Sequence, residues 1–92
     1  MSTIKWSRGE TRRFGIITDA EAAELRISLP GQCLTIPGVA ITMEDASTGF
    51  GFTLGAVLDV VPPRLYPVSI WTRTGADWLL RGEHRLQISE GC

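Results

Sequence analysis

An antiparallel β-sandwich or small barrel is the fold predicted by this chain of 92 residues. Three observations predict it. Apolar and polar side chains alternate in six or seven short runs, the period of strands with one buried face. Glycine, proline and acidic turn signals separate those runs every eight to twelve residues or so. The one stretch with helical propensity, DAEAAE at residues 19–24, is far shorter than the roughly 12 residues an isolated helix needs, and reads as a loop or single turn.

The elements follow in order. Ile4 and Trp6 alternate with Lys5 and Ser7 in residues 1–9, a short edge strand or N-terminal arm that ends at Arg8-Gly9. In ETRRFGIITD, Phe14 and Ile16 fall on one face and Arg13, Gly15 and Ile17 on the other, which predicts a second strand. Ala23, Leu25, Ile27 and Leu29 then alternate with Glu24, Arg26 and Ser28, and Pro30-Gly31 stops that run. Leu34 and Ile36 form a short piece closed by Pro37-Gly38. Val39, Ile41 and Met43 lead through the turn at residues 45–49 into Phe50, Phe52 and Leu54, so the two runs form a hairpin. Its small-residue face of Gly51, Thr53 and Gly55 lies against another backbone or faces solvent. AVLDVVPP, at residues 56–63, has no period, and its prolines exclude a helix or a central strand, leaving a crossover between sheets. Residues 65–88 form a long hairpin turning at Thr74-Gly75, with a bulge or bend at Arg81-Gly82, and residues 89–92 are a flexible tail.

The chain makes one domain, and a chain of this size buries only about 60 to 65% of its unfolded surface. Its core is therefore thin. Composition is that of a folded, turn-rich domain: 43% hydrophobic and 21% charged, with ten glycines and five prolines. The net charge of −1 is unevenly spread. Lys5, Arg8, Arg12 and Arg13 make the first thirteen residues basic, whereas residues 19–59 set six carboxylates against Arg26. A basic arm on an acidic body suits head-to-tail contact between copies. The acidic middle argues against nucleic-acid binding, and no apolar run has the length of a membrane span. Cys33 and Cys92 fit no metal or redox spacing, a structural disulfide between them is not expected, and no signal-peptide core precedes Arg13. Synthesis in a reducing cytoplasm is the reading that follows.

No constellation for catalysis emerges. The glycines of GFGFTLG lack the following helix that a dinucleotide loop requires, so no cofactor is expected. His84 is the only histidine, in phase with Leu86 and Ile88, and reads as a core or rim side chain bonded to backbone. Glu44 and Asp45 are neighbours at a turn, where acidic side chains cap backbone N–H groups. Trp71 and Trp78 carry more information. A two-residue turn at Thr74-Gly75 sets them opposite each other, and a longer loop sets Ile70 against Leu80. They either cover the thin core or form an exposed patch with Arg73 and Arg81, and interfaces are enriched in Trp and Arg.

Three stretches resemble one family. WSRGETRRFGIITD is similar to the opening of the N-terminal domain of the phage baseplate upper protein family: an RGDT-like turn, an alternating apolar strand, then Asp. TMEDASTGFGFTLGA resembles its strand, acidic turn, TG and strand ending in L-x-A, and LYPVSIWTRTGADWLLRGEHRLQI resembles its closing hairpin. The resemblance runs in order over about residues 6 to 88, and departs from the family at AEAAELRISLPG and at the proline after Tyr66. It implies an immunoglobulin-like β-sandwich that is a structural piece of a phage or prophage tail, located in the virion, with no catalytic residues.

The function expected is therefore a non-enzymatic tail, baseplate or neck component that contacts other virion proteins and copies of itself, in a possible ring. Its candidate contact residues are Trp6, Arg8, Arg12 and Arg13 on the arm, and Trp71, Arg73, Trp78 and Arg81 on the hairpin. The main alternative is a carbohydrate or host-surface binding module that stacks sugars on Trp71 and Trp78. A small enzyme or, above all, an inhibitor of a host enzyme is a further one.

Overall fold

In the computed structural model, which describes residues 2–90, two sheets face each other across one hydrophobic core. The strands are β1 (Thr3–Ser7), β2 (Arg12–Ile17), β3 (Ala22–Leu29), β4 (Gln32–Pro37), β5 (Val39–Thr42), β6 (Thr48–Leu54), β7 (Leu65–Thr74) and β8 (Asp77–Ser89). One sheet has the order β1-β8-β7-β3-β4 and the other β2-β6-β5. With β2 to β8 read in turn as B, C, C′, D, E, F and G, a B-E-D sheet faces a C-F-G sheet extended by C′. That is the immunoglobulin-like sandwich.

The sandwich is not wholly antiparallel as expected. β1 pairs in parallel with β8, from Thr3 opposite Arg85 to Ser7 opposite Ser89. The N-terminal segment is thus an integral strand from Thr3 onward. Its inward residue Trp6 is 1% exposed and packs in the core, and its Nε1 donates to the carbonyls of Glu10 at 2.9 Å and Leu54 at 3.1 Å.

The alternation in β3 buries Ala23, Leu25 and Ile27 as predicted. The turn after it uses Gly31 at φ +79°, a conformation that suits glycine. In β6, Phe50, Phe52 and Leu54 face the core, and Phe14 of β2 meets Phe52 with ring centroids 5.5 Å apart. The opposite face of this sheet is apolar and open. Val39 is 68% exposed, while the Ile41 side chain lies across Gly51 and Gly15, coming within 3.5 and 3.1 Å of where a Cβ would stand on each. The glycines of GFG thus make room for a cross-strand isoleucine on the solvent side.

Residues 56–63 cross from one sheet to the other, as their lack of period predicted. A 3-10 turn at Ala56–Leu58 anchors the crossing by burying Leu58, and Val61 is buried beside it. Tyr66, at the start of β7, donates from its hydroxyl to the Pro62 carbonyl at 2.6 Å. This is a tyrosine corner, in which a tyrosine near the start of the F strand bonds backbone a few residues upstream. Pro67 lies just past the last β3–β7 pair, Ile27 with Val68, so its missing N–H falls where that ladder has ended.

The long hairpin turns one residue later than expected. Thr74 pairs with Asp77, leaving Gly75 and Ala76 in the turn, with Gly75 at φ +64°. A glycine at positive φ in the first central position is the type II′ pattern. Trp78 therefore stands opposite Arg73, and Trp71 opposite Leu80. The predicted bulge is present: Trp71 pairs with Leu80 but Ile70 with Gly82, so Arg81 is the extra residue.

Arg8 closes the far end of the sandwich. It holds the Glu90 carboxylate through Nε at 3.1 Å and Nη2 at 3.0 Å, and it also donates to the carbonyls of Asp59 and Val61. The Arg8 guanidinium keeps the Glu90 carboxyl below its ordinary range, and Glu90 in turn raises Arg8. At the other end, Asp45 accepts from the Ser47 backbone N–H at 3.0 Å, the expected turn cap, and this bond lowers its pKa. Carboxyls depressed in the folded state contribute stability that is present above their unfolded pKa, about 4 to 4.5, and lost as pH falls through the folded value. Thermal midpoints between pH 6 and 3 should therefore fall on the acid side. Glu90→Gln and Asp45→Asn should each flatten that fall, and an unchanged acid limb in both would refute the assignment.

Cys33 is a free, exposed thiol on β4, and of the expected flexible tail at residues 89–92, Gly91 and Cys92 lie outside the described residues. Ser89 still belongs to β8, and Glu90 is held by Arg8. Among the described residues, no helix is long and apolar enough to cross a membrane.

Candidate interaction surface

The two tryptophans of the hairpin lie outside the core. On β7, Tyr66, Val68, Ile70 and Thr72 point inward and are buried, so Trp71 and Arg73 emerge on the outer face of the five-stranded sheet. Trp78, opposite Arg73, is 38% exposed, and Leu80, opposite Trp71, is 46% exposed. Of the two readings left open, core cover and outer patch, the second holds for Trp71 and Trp78. The reason is one of phase: the inward positions of β7 are even-numbered, and the turn at Gly75-Ala76 puts Trp78 on the same side as Arg73.

Arg26 completes the surface. It comes from β3, whose outward residues Glu24 and Arg26 pair with Trp71 and Ser69. The Arg26 Cζ lies 4.5 Å from the Trp71 ring centroid and 5.3 Å from that of Trp78, so one guanidinium contacts both rings. Glu24 orients it, with Oε1 2.5 Å from both Nε and Nη2. Trp71 is held in turn by its Nε1, which donates to Ser69 Oγ at 2.9 Å. Arg73 adds a second cation, its Cζ 6.0 Å from the Trp78 centroid, and its buried Nε has no acceptor among the described residues.

Of the four hairpin residues expected to act together, Trp71, Arg73 and Trp78 do so. Arg81 does not, because the bulge turns it to the other face, where Nε donates to the hydroxyl of buried Thr72 at 3.0 Å. The expected basic arm is dispersed. Trp6 belongs to the core and offers no contact surface, and Arg8 is tied to Glu90 and the crossover. Arg12 is exposed but donates to the Lys5 carbonyl at 2.6 Å, while Arg13 is exposed on β2. Arg26 went unselected in the sequence because its partnership with Trp71 depends on β3 lying beside β7. Its outward phase between buried Leu25 and Ile27 was the one available signal.

One end of the sandwich is acidic. The loops after β2 and β5 and the β7–β8 turn share one end, where Glu21 N–H meets the Arg73 carbonyl and Thr18 N–H the Thr48 carbonyl. Asp19, Glu21, Glu44, Asp45 and Asp77 gather there, and none of them is in an ion pair among the described residues. Lys5, Arg12 and Arg64 lie toward the other end, near Leu54, Leu65 and Ser89, where Glu10, Asp59 and the Arg8–Glu90 pair leave little net charge.

His84 is half-buried at the rim, its Nδ1 2.6 Å from the Ser2 hydroxyl, so its partner is a side chain and not the expected backbone group. No cluster of three or more His, Cys, Asp or Glu is placed to hold a metal ion among those residues. In comparisons with known proteins, the chain matches no protein-family model, no curated protein and no solved structure.

Proposed function

We propose that this domain is a non-enzymatic structural component of a phage or prophage tail, baseplate or neck assembly, made in the bacterial host cytoplasm and carried in the virion. It works through protein–protein contacts with neighbouring virion proteins and with copies of itself. The observation that carries this reading is the outer-face cluster of exposed Trp78 and Leu80 with half-buried Trp71, Arg26 and Arg73, since aromatic and arginine anchors dominate interface energetics. The acidic end of one copy offers opposite charge to the arginines on the face of the next, and heterologous contacts of that kind close into rings. The three sequence stretches similar to the baseplate family supply the biological setting. Sugar stacking is the weaker alternative, because Arg26 already covers one face of each indole ring.

Light scattering and sedimentation on the concentrated protein at low and high salt test the reading. The wild type is expected to self-associate, and more weakly at high salt. The Trp71→Ala/Trp78→Ala double variant should stay folded, because both side chains lie outside the core, and should associate about 30-fold more weakly, as expected for loss of a hot spot worth about 2 kcal/mol. A strict monomer at millimolar concentration in low salt would count against self-assembly. Glycan binding abolished in the double variant would favour the carbohydrate reading instead.

A further inference from the structure

A second feature stands apart from the aromatic face and does not depend on it. Among the described residues β2 pairs only with β6, so its other edge is free of them. The direction of its backbone groups follows from the ladder. Thr18 N–H bonds the Thr48 carbonyl, and in an antiparallel pair bonded residues alternate. Arg12, Phe14 and Ile16 therefore turn their backbone groups toward β6, and Arg13, Gly15 and Ile17 turn theirs outward.

Beneath this edge the sandwich is open. The inward side chains Phe14 and Ile16 remain half-buried, although Phe50, Phe52 and Leu54 on the neighbouring strand are buried. Two adjoining clefts run the length of β2, with the strand as one wall and residues of β1, β7 and β8 as the other. Ile16, Ile70 and His84 line both, Ile4 and Phe14 lie toward one end, and Thr72 lies toward the other. A free strand edge over an apolar groove is the geometry of strand addition, in which backbone bonds supply affinity and alternate side chains enter the groove.

Charge selects the occupant. Arg12 and Arg13 line one cleft and Arg81 the other, and among the described residues no carboxylate lines either. None of these arginines is in an ion pair among the described residues. A second copy's β2 would bring two more arginines to the same edge, whereas a carboxylate-bearing segment would meet opposite charge. We propose that the free edge of β2 accepts, as an added strand, an extended segment of another protein with apolar residues at alternate positions and acidic residues facing Arg12 and Arg13.

The test uses two soluble eight-residue peptides alternating valine and threonine, one carrying two terminal glutamates and the other two terminal lysines. Titrated into the full chain and followed by amide NMR, the glutamate peptide should shift Arg13, Gly15 and Ile17 and bind about tenfold more tightly than the lysine peptide. Ile17→Pro removes an outward N–H at an exposed edge position where proline is tolerated, and should weaken binding at least about tenfold while keeping the melting temperature. Should that variant fail to fold, Arg12→Ser/Arg13→Ser should lose the discrimination between peptides. Absence of binding at millimolar peptide, equal binding of both, shifts confined to the Trp71 face, or dimerisation through β2 without peptide would each overturn the proposal.

Discussion

Replacing Trp6 by alanine is expected to lower the stability of this domain by about 3–5 kcal/mol, the range for truncating a buried tryptophan. Trp6 is a fully buried side chain on a five-residue strand, and its ring fills the junction between β1, the loop at Glu10 and the end of β6. Its Nε1 serves the carbonyls of Glu10 and Leu54, so the substitution removes ring and donor together. Against a typical total of about 5–15 kcal/mol, such a loss leaves much of a marginal domain unfolded. Thermal unfolding followed by circular dichroism should show a midpoint lower by roughly 12–40 °C, at about 4–8 °C per kcal/mol for a domain of this size. Trp6→Phe separates the two contributions: it keeps most of the ring and should cost about 1–3 kcal/mol for carbonyls left without a donor. A midpoint for Trp6→Ala within a few degrees of the wild type would contradict the placement of this residue.

The second large effect is expected at Gly49. A Cβ added there would stand 1.9 Å from the Ile16 carbonyl oxygen and 3.1 Å from the Ile17 Cα, both backbone atoms of β2. Backbone in a paired strand cannot give way as a flexible side chain does. Gly49→Ala should therefore cost about 3 kcal/mol, the upper part of the range for overpacking, and should weaken the β2–β6 ladder in particular. Hydrogen exchange would locate the damage: the β6-facing amides of Phe14 and Ile16 should lose protection before those of β3 and β7. Gly31→Ala makes the contrasting control, because its cost arises from φ +79° at an open turn and no atom lies within 4 Å of the added Cβ. If Gly49→Ala exchanged as the wild type does, the close approach of β2 and β6 would be wrong.

Features that depend on neighbours along the chain were legible without the structure. The alternation in β3 named its buried residues, Pro30-Gly31 marked a turn that does use positive φ, and the aperiodic residues 56–63 do cross between the sheets. The bulge at Arg81 was readable too, because an Arg-Gly break in a long strand is a local signal. The tyrosine corner was present in the sequence as Tyr66 four residues after Pro62, and it was overshadowed there by the proline that follows it.

Features set by contacts between distant segments were not legible. A one-residue difference in where the long hairpin turns decided what faces each tryptophan, and the phase of β7 against the core decided that both face outward. Gly75, at φ +64°, fits its turn one position later than the spacing suggested. The parallel seat of β1 on β8 joins the two ends of the chain, and it converts Trp6 from a candidate contact into the centre of a core. Arg26 lies between Trp71 and Trp78 because β3 and β7 are neighbours, a pairing that no local pattern encodes. Period and turn chemistry belong to a few consecutive residues, so they can be read from the chain and they make this a small all-β sandwich. Which strands meet, and which of their side chains share a face, is decided by burial summed over the whole domain, and that choice placed the exposed aromatic face and the open edge of β2.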